Sequence, residues 1–385
     1  MADPTSSRKM GVEEELMLVD PDTWTLAAVS QEAVRASTER TRAWTRGADG
    51  PDRTPEVEHE LFLQQLETAT SPHHSLEDLL VDLRGCRRAV GESARAVGAI
   101  AVAMPTPVLP EPDEQITPKP RYQRIYDEYG EIARHGLVCA MHVHVDVSDD
   151  EEAVAVIDGI RPWLPVLLAL SANSPYWHGL DTGYASWRSQ AWSRWPSTGP
   201  AEAYGTAMSY GEVAEKMIEW GASLDPGMLY YDVRVAQHYP TVEIRVADVC
   251  TEPEEAGLVT ALARALVDTC AKDWRAGTPT ARWRSELLRV ASWRAAKFGM
   301  AGPLVHPQCQ QLSPFRETFD ALLDYVAGSL SDSGDEDFVR GAFARMTARG
   351  SGAARQRRRY ADTGSLEAVV EDLSERTERS WHETE

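Results

Sequence analysis

Acidic residues stand at alternating positions inside an apolar segment near the N-terminus. Residues 11–19 read Gly-Val-Glu-Glu-Glu-Leu-Met-Leu-Val, and a turn signal, Asp20-Pro21, follows them. If the segment is a strand, Glu13 and Glu15 share one face and Glu14 takes the other. Two carboxylates on one buried face repel each other and are costly to desolvate, so cations or protons must neutralise them there. A solvated edge strand is the alternative.

Three further segments with strand-like composition carry charged residues of the same kind. They hold Glu60 and Glu67 within residues 56–70, His142, His144 and Asp146 within 137–147, and Glu243 with Arg245 within 241–246. Each has a simpler explanation by itself: a surface charge, two packing histidines, or an internal ion pair. Four apolar strands that all carry inward charge are harder to explain without a bound ligand.

The chemistry of these side chains indicates which ligand they would hold. Oxygen-rich sites with an occasional imidazole suit Mg²⁺ or Mn²⁺ better than zinc. A single magnesium ion needs only one or two carboxylates, so five or more from separate strands indicate two or three cations, usually bridged by a polyphosphate.

The order of strands and helices predicts the fold class. Strand-like segments occupy the first two thirds of the chain, and after Glu252 the chain is nearly all helical. Strands and helices do not alternate as parallel βαβ units would require, so we expect an α+β fold with an antiparallel sheet that is polar on one face. We expect one catalytic domain over residues 10–379, with flexible tails at 1–9 and 380–385.

Periodicity and capping signals place the individual elements. Additional strands are expected at residues 24–29, 99–104 and 230–235, and loops at 41–55, 105–120 and 173–205. Helices are expected at 75–97, 122–134, 149–171 with a break at Pro162 and Pro165, 254–275, 281–298, 314–329, 336–348 and 365–378.

Charge and cysteine content argue against several classes of function. The net charge of −21 and the pI of about 4.9 leave no basic surplus for phosphates, so no nucleic-acid partner is expected. The five cysteines are scattered, without a Cys-x-x-Cys pair, which fits a reducing cytoplasm. The first nine residues lack the apolar core of a signal peptide, and no apolar run predicts a membrane span.

Basic residues that could meet an anion lie in the second half of the chain. Arg245 is on a predicted strand, Arg294 and Lys297 lie one turn apart on a predicted helix, and residues 355–359 read Arg-Gln-Arg-Arg-Arg. Arginine forks grip phosphate or carboxylate oxygens in two places. The alternatives are a solvated helix face for Arg294 and Lys297, and ion pairs within the fold for the cluster. No Walker-A or Gly-x-Gly-x-x-Gly motif is present, so metal ions would have to hold any ATP.

Residues 173–205 hold four tryptophans within irregular sequence. Such a segment is either the wall of a substrate pocket or a packed structural plug, and we favour the pocket wall. This interpretation makes Asn173 and Trp187 candidate substrate contacts.

Seven motifs resemble those of one family, the carboxylate-amine ligases of the glutamate–cysteine ligase type 2 family, single-domain bacterial branch. They spread over nearly the whole chain in the usual order. They are Gly-Val-Glu-Glu-Glu at 11–15, Leu-Glu-Thr-Ala-Thr at 66–70, His-Val-His-Val at 142–145, Ala-Asn-Ser-Pro-Tyr-Trp-x-Gly-x-Asp-Thr-Gly-x-x-Ser at 172–186, Tyr-Pro-Thr-Val-Glu-Ile-Arg at 239–245, Trp-Arg-Ala-Ala-Lys-Phe-Gly at 293–299, and Gly-Ala-Ala-Arg-Gln-Arg at 352–357.

The resemblance implies a fold like the catalytic domain of glutamine synthetase, with a curved antiparallel sheet forming a funnel-shaped site and helices packed outside. It implies metal binding by Glu13, Glu15, Glu60, Glu67, His142 and Glu243. It implies a γ-phosphate contact for Arg245 and a contact with the acid substrate for Arg188. Asp146 stands where relatives commonly carry glycine, so it would add charge near the metals or narrow the pocket.

The full hypothesis is an ATP-dependent ligase in which the γ-phosphoryl group passes to a carboxylate and an amine then attacks the acyl phosphate. Glutamate is the default acid, Mg²⁺ or Mn²⁺ the metal, and the resemblance implies a homodimer. The assigned roles are Arg245, Arg294 and Glu67 in catalysis, Arg245, Arg294, Lys297, Arg355 and Arg357 at the nucleotide, and Asn173, Trp187, Arg188, His144 and Asp146 at the substrate. The rivals are a metal-dependent hydrolase built on His142 and His144 and a non-catalytic binding protein.

Overall fold

An antiparallel sheet organises the structure, a computed structural model that describes residues 7–45, 55–110 and 114–382. Two short hairpins accompany it. The strands are β1 (Met10–Val19), β2 (Val57–His59), β3 (Gln65–Ala69), β4 (Ile100–Val102), β5 (Ala140–Asp146), β6 (Tyr176–Trp177), β7 (Leu180–Asp181), β8 (Val233–Val235), β9 (Thr241–Asp248), β10 (Leu304–Val305) and β11 (Leu312–Ser313). The large sheet has the order β2-β3-β1-β5-β9-β8, and β4 pairs with the C-terminal part of β1.

The alternation of side chains gives the large sheet one apolar and one charged face. A row of four apolar residues crosses it, since Val12 lies opposite Val143, Val143 opposite Ile244, and Ile244 opposite Val233. All four are buried and belong to the same core cluster. On each strand, the residues immediately before and after these four point to the other face of the sheet.

Glu14 is the exception on the apolar face of β1. It is fully buried, and Arg87 neutralises it with two hydrogen bonds of 2.6 and 2.7 Å. The predicted separation of Glu14 from Glu13 and Glu15 is therefore confirmed.

Helices cover the apolar face and flank the sheet. They are α1 (Ser30–Thr45), α2 (Leu76–Arg95), α3 (Pro120–Tyr129), α4 (Glu131–Arg134), α5 (Asp150–Ile160), α6 (Leu164–Ser171), α7 (Trp187–Trp192), α8 (Ala207–Glu219), α9 (Pro253–Arg275), α10 (Ser285–Phe298), α11 (Phe315–Ser333), α12 (Glu336–Arg349), α13 (Gly352–Thr363) and α14 (Leu366–Arg379). α9 is the central one, because sixteen of its residues are buried between the sheet and neighbouring helices. This core leaves the opposite face of the sheet free for polar residues.

The apolar run at 150–171 forms α5 and α6, with a 3₁₀ turn at Arg161–Trp163 between them. The predicted break at the prolines is confirmed. The run is long and apolar enough to cross a membrane, yet 89% of its 18-residue apolar window is buried inside the protein, as in a core helix.

Several predicted elements were wrong. Residues 24–29 form one bridge, Val19 to Leu26, instead of a strand. α1 occupies the start of the predicted loop at 41–55, of which 46–54 lie outside the described residues. α8 and α13 were missed, because α8 buries no residue completely and α13 buries small and polar residues such as Gly352 and Gln356 instead of an apolar stripe. Residues 1–6 and 383–385 also lie outside the described part, so the division into one domain and two tails stays a prediction.

Candidate active site

Cross-strand pairing brings the charged strand residues together on one face of the sheet, which we call the site face. Residues directly opposite each other in an antiparallel pair point to the same side. The pairs are Glu15 with Glu67, Glu13 with His142, His144 with Glu243, and Glu243 with Arg234. Charges from residue 13 to residue 243 therefore meet in one surface, as the alternating pattern predicted.

A β-bulge directs the arginines of this face. The register of β5 and β9 shifts between Met141 and Val143. As a result, two residues of β9, Arg245 and Val246, lie opposite one residue of β5, His142. Arg188 Nη2 donates to the carbonyls of both, at 3.2 and 2.8 Å. Arg245 Nη1 bonds to Glu243 and lies 3.4 Å from His142 Nδ1. The bulge thus holds two arginines beside the acids.

The site face lines a cavity of about 150 Å³, which we call the central cavity. Five of the six predicted metal ligands line it: Glu13, Glu15, Glu60, Glu67 and His142. The sixth, Glu243, has an oxygen 3.8 Å from His142 Nδ1. Four arginines, Arg121, Arg188, Arg234 and Arg245, line the same cavity. A cavity that combines acids with arginines suits a metal-bound anion better than either a free cation or a free anion.

Three of the acids share the central cavity, where Glu15 is buried and Glu60 and Glu67 are half-buried. Burial raises the pKa of Glu15 to about 8, and the charge of Glu60 adds to the effect, although the Ala140 N–H donates to Glu15 at 2.9 Å. Burial raises the pKa of Glu67 well above its usual value, with the charges of Glu60 and Glu13 next in size. Burial also raises the pKa of Glu60, against the opposing charge of Arg121. Such mutual repulsion is what a bound cation would relieve.

A second group has its charges balanced. Burial opposes the ionisation of Glu13, but bonds to His142 and His144 hold its pKa below the usual value. Burial likewise opposes ionisation of Glu243, yet Arg245 and Arg234 lower its pKa to about 2. Burial and Arg245 lower the pKa of His142 to about 4, so its ring is neutral at neutral pH and can act as a ligand.

The side chains of both groups are of the kind that bind divalent cations, and one set has ligand atoms close enough to share an ion. One ligand atom each from Glu13, His144 and Glu243 lie within 4.8 Å of one another. His144 therefore joins this group, although the sequence assigned it to substrate binding and gave the metal to His142. Glu15, Glu60 and Glu67 supply a second set of oxygens with raised pKa values. Carboxylates with one imidazole match the preference of Mg²⁺ or Mn²⁺.

Two larger cavities flank the central one. The first, which we call the His144 cavity, has a volume of about 560 Å³ and apolar walls that include Val12 and Tyr239, with Asp146 and His144 among its polar lining. The second, which we call the Asp232 cavity, measures about 670 Å³ and has aromatic walls that include Trp192 and Trp293. Glu13 and Glu67 line both the central and the His144 cavity, and Arg188 and Arg245 line both the central and the Asp232 cavity.

Arg188 is fixed by a buried carboxylate at the end of β9. Its Nε donates to Asp248 at 2.9 Å, and Asp248 also accepts from Asn173 N, Ser174 Oγ and Ser186 Oγ. Asn173, a predicted substrate contact, is itself buried in this network and receives a 2.9 Å bond from Gln356. The structure thus places Asn173 in a buried hydrogen-bond network and Arg188 at the central and Asp232 cavities, and the substrate contact of Asn173 stays a prediction.

Four predicted phosphate contacts lie elsewhere in the described chain. Arg294 is half-buried, stacks on Phe298 at 4.8 Å and donates to the Pro303 carbonyl at 3.1 Å. Lys297 lies 4.4 Å from the ring centre of Tyr184.

The basic cluster of α13 is paired within the fold. Arg355 is buried and bonds to both oxygens of Glu255, and Arg357 bonds to both oxygens of Asp181. Trp187 packs edge-on against Tyr184, at 5.3 Å between ring centres. Five predicted site residues are absent from the described linings of the three cavities: Arg294, Lys297, Arg355, Arg357 and Trp187. Each of them contacts other residues of the fold.

Sequence reasoning missed several residues of the cavities. Arg234 bonds to both oxygens of Glu243, at 2.7 and 3.1 Å, and Arg121 grips Asp225 at the edge of the central cavity. Asp232 lines the larger flanking cavity. The alternation Asp232-Val233-Arg234-Val235 was a signal, because a short hairpin to β9 aligns its polar residues with Glu243. Arg121 gave no such signal.

Comparisons with known proteins identify the family to which the sequence is similar. The model of the glutamate–cysteine ligase family 2 (GCS2) matches residues 9–372. "Putative glutamate–cysteine ligase 2-1" of Nocardioides sp. is 46% identical over 380 residues, covering 98% of this chain and 97% of that protein.

Solved structures share the fold at low sequence identity. Glutamate–cysteine ligase of Francisella tularensis, in complex with AMP, gives a TM-score of 0.70 at 12% identity, covering 98% of this chain and 90% of that one. A bifunctional glutathione synthetase from Pasteurella multocida gives 0.66 at 15% identity, covering 99% of this chain and 53% of that one. These likenesses confirm the predicted α+β fold.

Proposed function

Because the chain belongs to the glutamate–cysteine ligase family 2 and is a carbon–nitrogen ligase, we propose that it uses ATP to join a small acid to an amine. The acid in this proposal is glutamate or a close relative. The γ-phosphoryl group passes to the acid carboxylate, and an amine displaces phosphate from the resulting acyl phosphate. The chain needs no nucleophilic side chain for either step.

The observation that carries the proposal is the meeting of buried acids and arginines on the site face. Glu15, Glu60 and Glu67 have pKa values raised by burial, an arrangement that needs cations. Arg188 and Arg245 line the same cavity and can bind anions there. A metal-bound polyphosphate beside a carboxylate substrate would neutralise the acids through its cations and contact the arginines.

Two sets of ligands would hold the metal. Glu13, His144 and Glu243, with His142 beside them, form one set, and Glu15, Glu60 and Glu67 form the other. Cations bound there would offset the charge of the phosphates and orient them for transfer.

The arginines would bind and orient the two anions. Arg245 lies at the bulge between the metal-ligand groups, where it can contact the transferred phosphoryl group. Arg188 uses Nε and Nη2 for bonds within the fold, and among the described residues no hydrogen bond engages Nη1, which can therefore bind the acid substrate. Both guanidinium groups are fixed before a substrate arrives, so little reorganisation is needed.

The nucleoside of ATP would occupy the His144 cavity. Its walls are largely apolar, its volume of about 560 Å³ is ample, and no arginine lines it among the residues described. Asp146 lies in its lining, and the burial that raises the pKa of this carboxyl is opposed by Arg8. Asp146 would then contact the nucleotide instead of the acid.

The test is release of ADP by the purified protein with Mg²⁺, ATP and a panel of acids, with and without amines. The proposal expects ADP release that requires both an acid and an amine, with stoichiometric amide. Amine-independent hydrolysis of other substrates without ATP would support a metal-dependent hydrolase. Ligand binding with no turnover over a broad panel would support a binding protein.

Two further expectations belong to this proposal. Four of the five cysteines are buried and none of the five, all of which lie in the described residues, forms a disulfide, which supports a reducing compartment such as the cytoplasm. A homodimer stays a prediction from the family resemblance.

A further inference from the structure

Asp232 lies on the site face, at the end that leads away from the metal ligands. The ladder between β8 and β9 continues beyond Val233, because Arg245 N donates to the Asp232 carbonyl at 2.9 Å. This places Asp232 opposite Arg245 and on the same face as Arg234. Val233, between them, is buried in the core. The carboxylate therefore belongs to the functional side of the sheet.

The surroundings of Asp232 are basic and aromatic. It is the one acid among the described residues that line the Asp232 cavity, where it meets Arg188, Arg194, Arg245 and Arg289. In the described part of the chain, no hydrogen bond or ion pair engages its side chain. Burial raises its pKa to about 6, against the opposing charges of Arg188 and Arg289. A half-buried carboxylate that lines a cavity and has no hydrogen-bond partner in the described chain is suited to binding a ligand group.

Its position matches the side from which an amine must approach. Arg188 lines both the central and the Asp232 cavity, so an acid substrate on its free Nη1 would sit where the two cavities join. The metal ligands and the His144 cavity lie on the far side of that junction. The Asp232 cavity adjoins this junction through Arg188 and Arg245, so it offers an amine a route to the activated carbonyl on the side away from the metal ligands.

We propose that Asp232 binds the ammonium group of the amine substrate and accepts one of its protons. This assignment rests on the ligase function proposed above. The ammonium group gives a proton to Asp232 and becomes a neutral amine, whose lone pair attacks the acyl-phosphate carbon. The carbon–oxygen bond to phosphate breaks, and phosphate leaves with that electron pair. The second proton of the nitrogen goes to the departing phosphate, so the products are the amide and hydrogen phosphate.

The experiment compares two nucleophiles on the variant Asp232→Asn. L-Glutamate with L-cysteine is the first pair, replaced by the best pair of the ADP panel if that is more active. Hydroxylamine is the second nucleophile, because at neutral pH it is largely unprotonated and captures acyl phosphates without a base. We expect amide formation to fall about 10²-fold, a typical loss of a general base, while hydroxamate formation stays within about twofold of wild type.

Controls separate this role from a structural one. Hydroxamate formation by Asp232→Asn shows that the variant is folded and transfers phosphoryl groups. Asp232→Glu, which restores a carboxylate, should recover part of the amide rate, and Glu215→Gln, an exposed acid on α8, should behave as wild type.

Three results would overturn the assignment. Amide formation that falls by less than about threefold would show that no proton acceptor is lost. An equal fall in amide and hydroxamate would place Asp232 at the acid or in the fold. A wild-type protein that forms neither product with any acid would refute the ligase proposal itself, and this assignment with it.

Discussion

The site face of the sheet and the C-terminal helices α10 and α13 both carry many charged residues, but they hold them in opposite ways. On the site face, Glu15 and Glu67 lie directly opposite each other, and burial raises the pKa of both. On α13, Arg355 and Arg357 each grip a carboxylate of their own fold. Part of the site face collects like charges, at Glu15, Glu60 and Glu67, whereas α13 matches opposite charges in pairs.

This contrast distinguishes function from structure better than the number of charges does. Matched pairs such as Arg355 with Glu255 satisfy themselves and need no ligand. Acids that repel each other are retained in a fold where a bound ligand, such as a cation, offsets the repulsion. The four predictions below test this difference between the two regions.

The largest expected effect concerns the acids of the site face. We expect Glu15→Gln and Glu243→Gln each to lower ADP release by about 10³-fold, because each removes a charge from a metal-ligand group that serves the transferred phosphoryl. The measurement is ADP release at saturating ATP, with circular dichroism to verify the fold. Near-normal rates in both variants would remove the site face from the mechanism.

A matched pair on α13 should show the reverse behaviour. Arg355→Ala leaves Glu255 buried without its partner, so we expect the free energy of unfolding to fall by about 3 kcal/mol. The rate per folded molecule should change little. Urea unfolding and the active fraction together measure this. A specific loss of activity in a fully stable variant would instead return Arg355 to the nucleotide site.

The third prediction asks whether a functional carboxylate reduces stability. The pKa of Asp232 in the folded protein is about 6, above its usual value of 3.8. A raised carboxyl pKa means that the folded state binds the proton more tightly, so stability is lost as pH rises from about 4 to about 6. Asp232→Asn removes this dependence.

We therefore expect Asp232→Asn to be more stable than wild type by about 1–2 kcal/mol at pH 7, a value reduced for partial exposure to solvent. The difference should vanish near pH 4. Parallel urea unfolding at the two pH values measures it. A difference that is constant with pH would mean that Asp232 is not destabilised by burial in the folded protein.

The strands of the site were predictable because two simple rules act together. Alternation assigns each residue of β1, β5 and β9 to a face, and the apolar residues Val12, Val143 and Ile244 fix which face is buried. The charged residues that alternate with them must then point to the opposite face; these are Glu13, Glu15, His142 and Glu243. The residues of β8 followed the same rule, yet Asp232 and Arg234 were overlooked because the strand is short.

The basic residues could not be placed from the sequence. Helical spacing shows that Arg294 and Lys297 can share a face, but not what that face meets. Their partners, Pro303 and Tyr184, lie in loops whose course no periodicity encodes. The bulge that directs Arg245 and binds Arg188 is likewise a local irregularity without a sequence signature here. The sequence therefore predicts the metal ligands that lie on strands, but it does not predict the contacts that basic residues make with loops.

The smallest expected effect is the sharpest test of the comparison. Arg294 is half-buried on α10, with one hydrogen bond to a carbonyl and a ring beneath it. We expect Arg294→Ala to change the rate of ADP release by less than about twofold and the unfolding free energy by about 0.5 kcal/mol, as for other surface substitutions. Arg245→Lys is the matched variant and should lose about 10²-fold, because lysine cannot reproduce a two-point contact. If Arg294→Ala were as damaging as Arg245→Lys, α10 would have to approach the nucleotide during turnover, and the division between a functional sheet face and structural helices would fail.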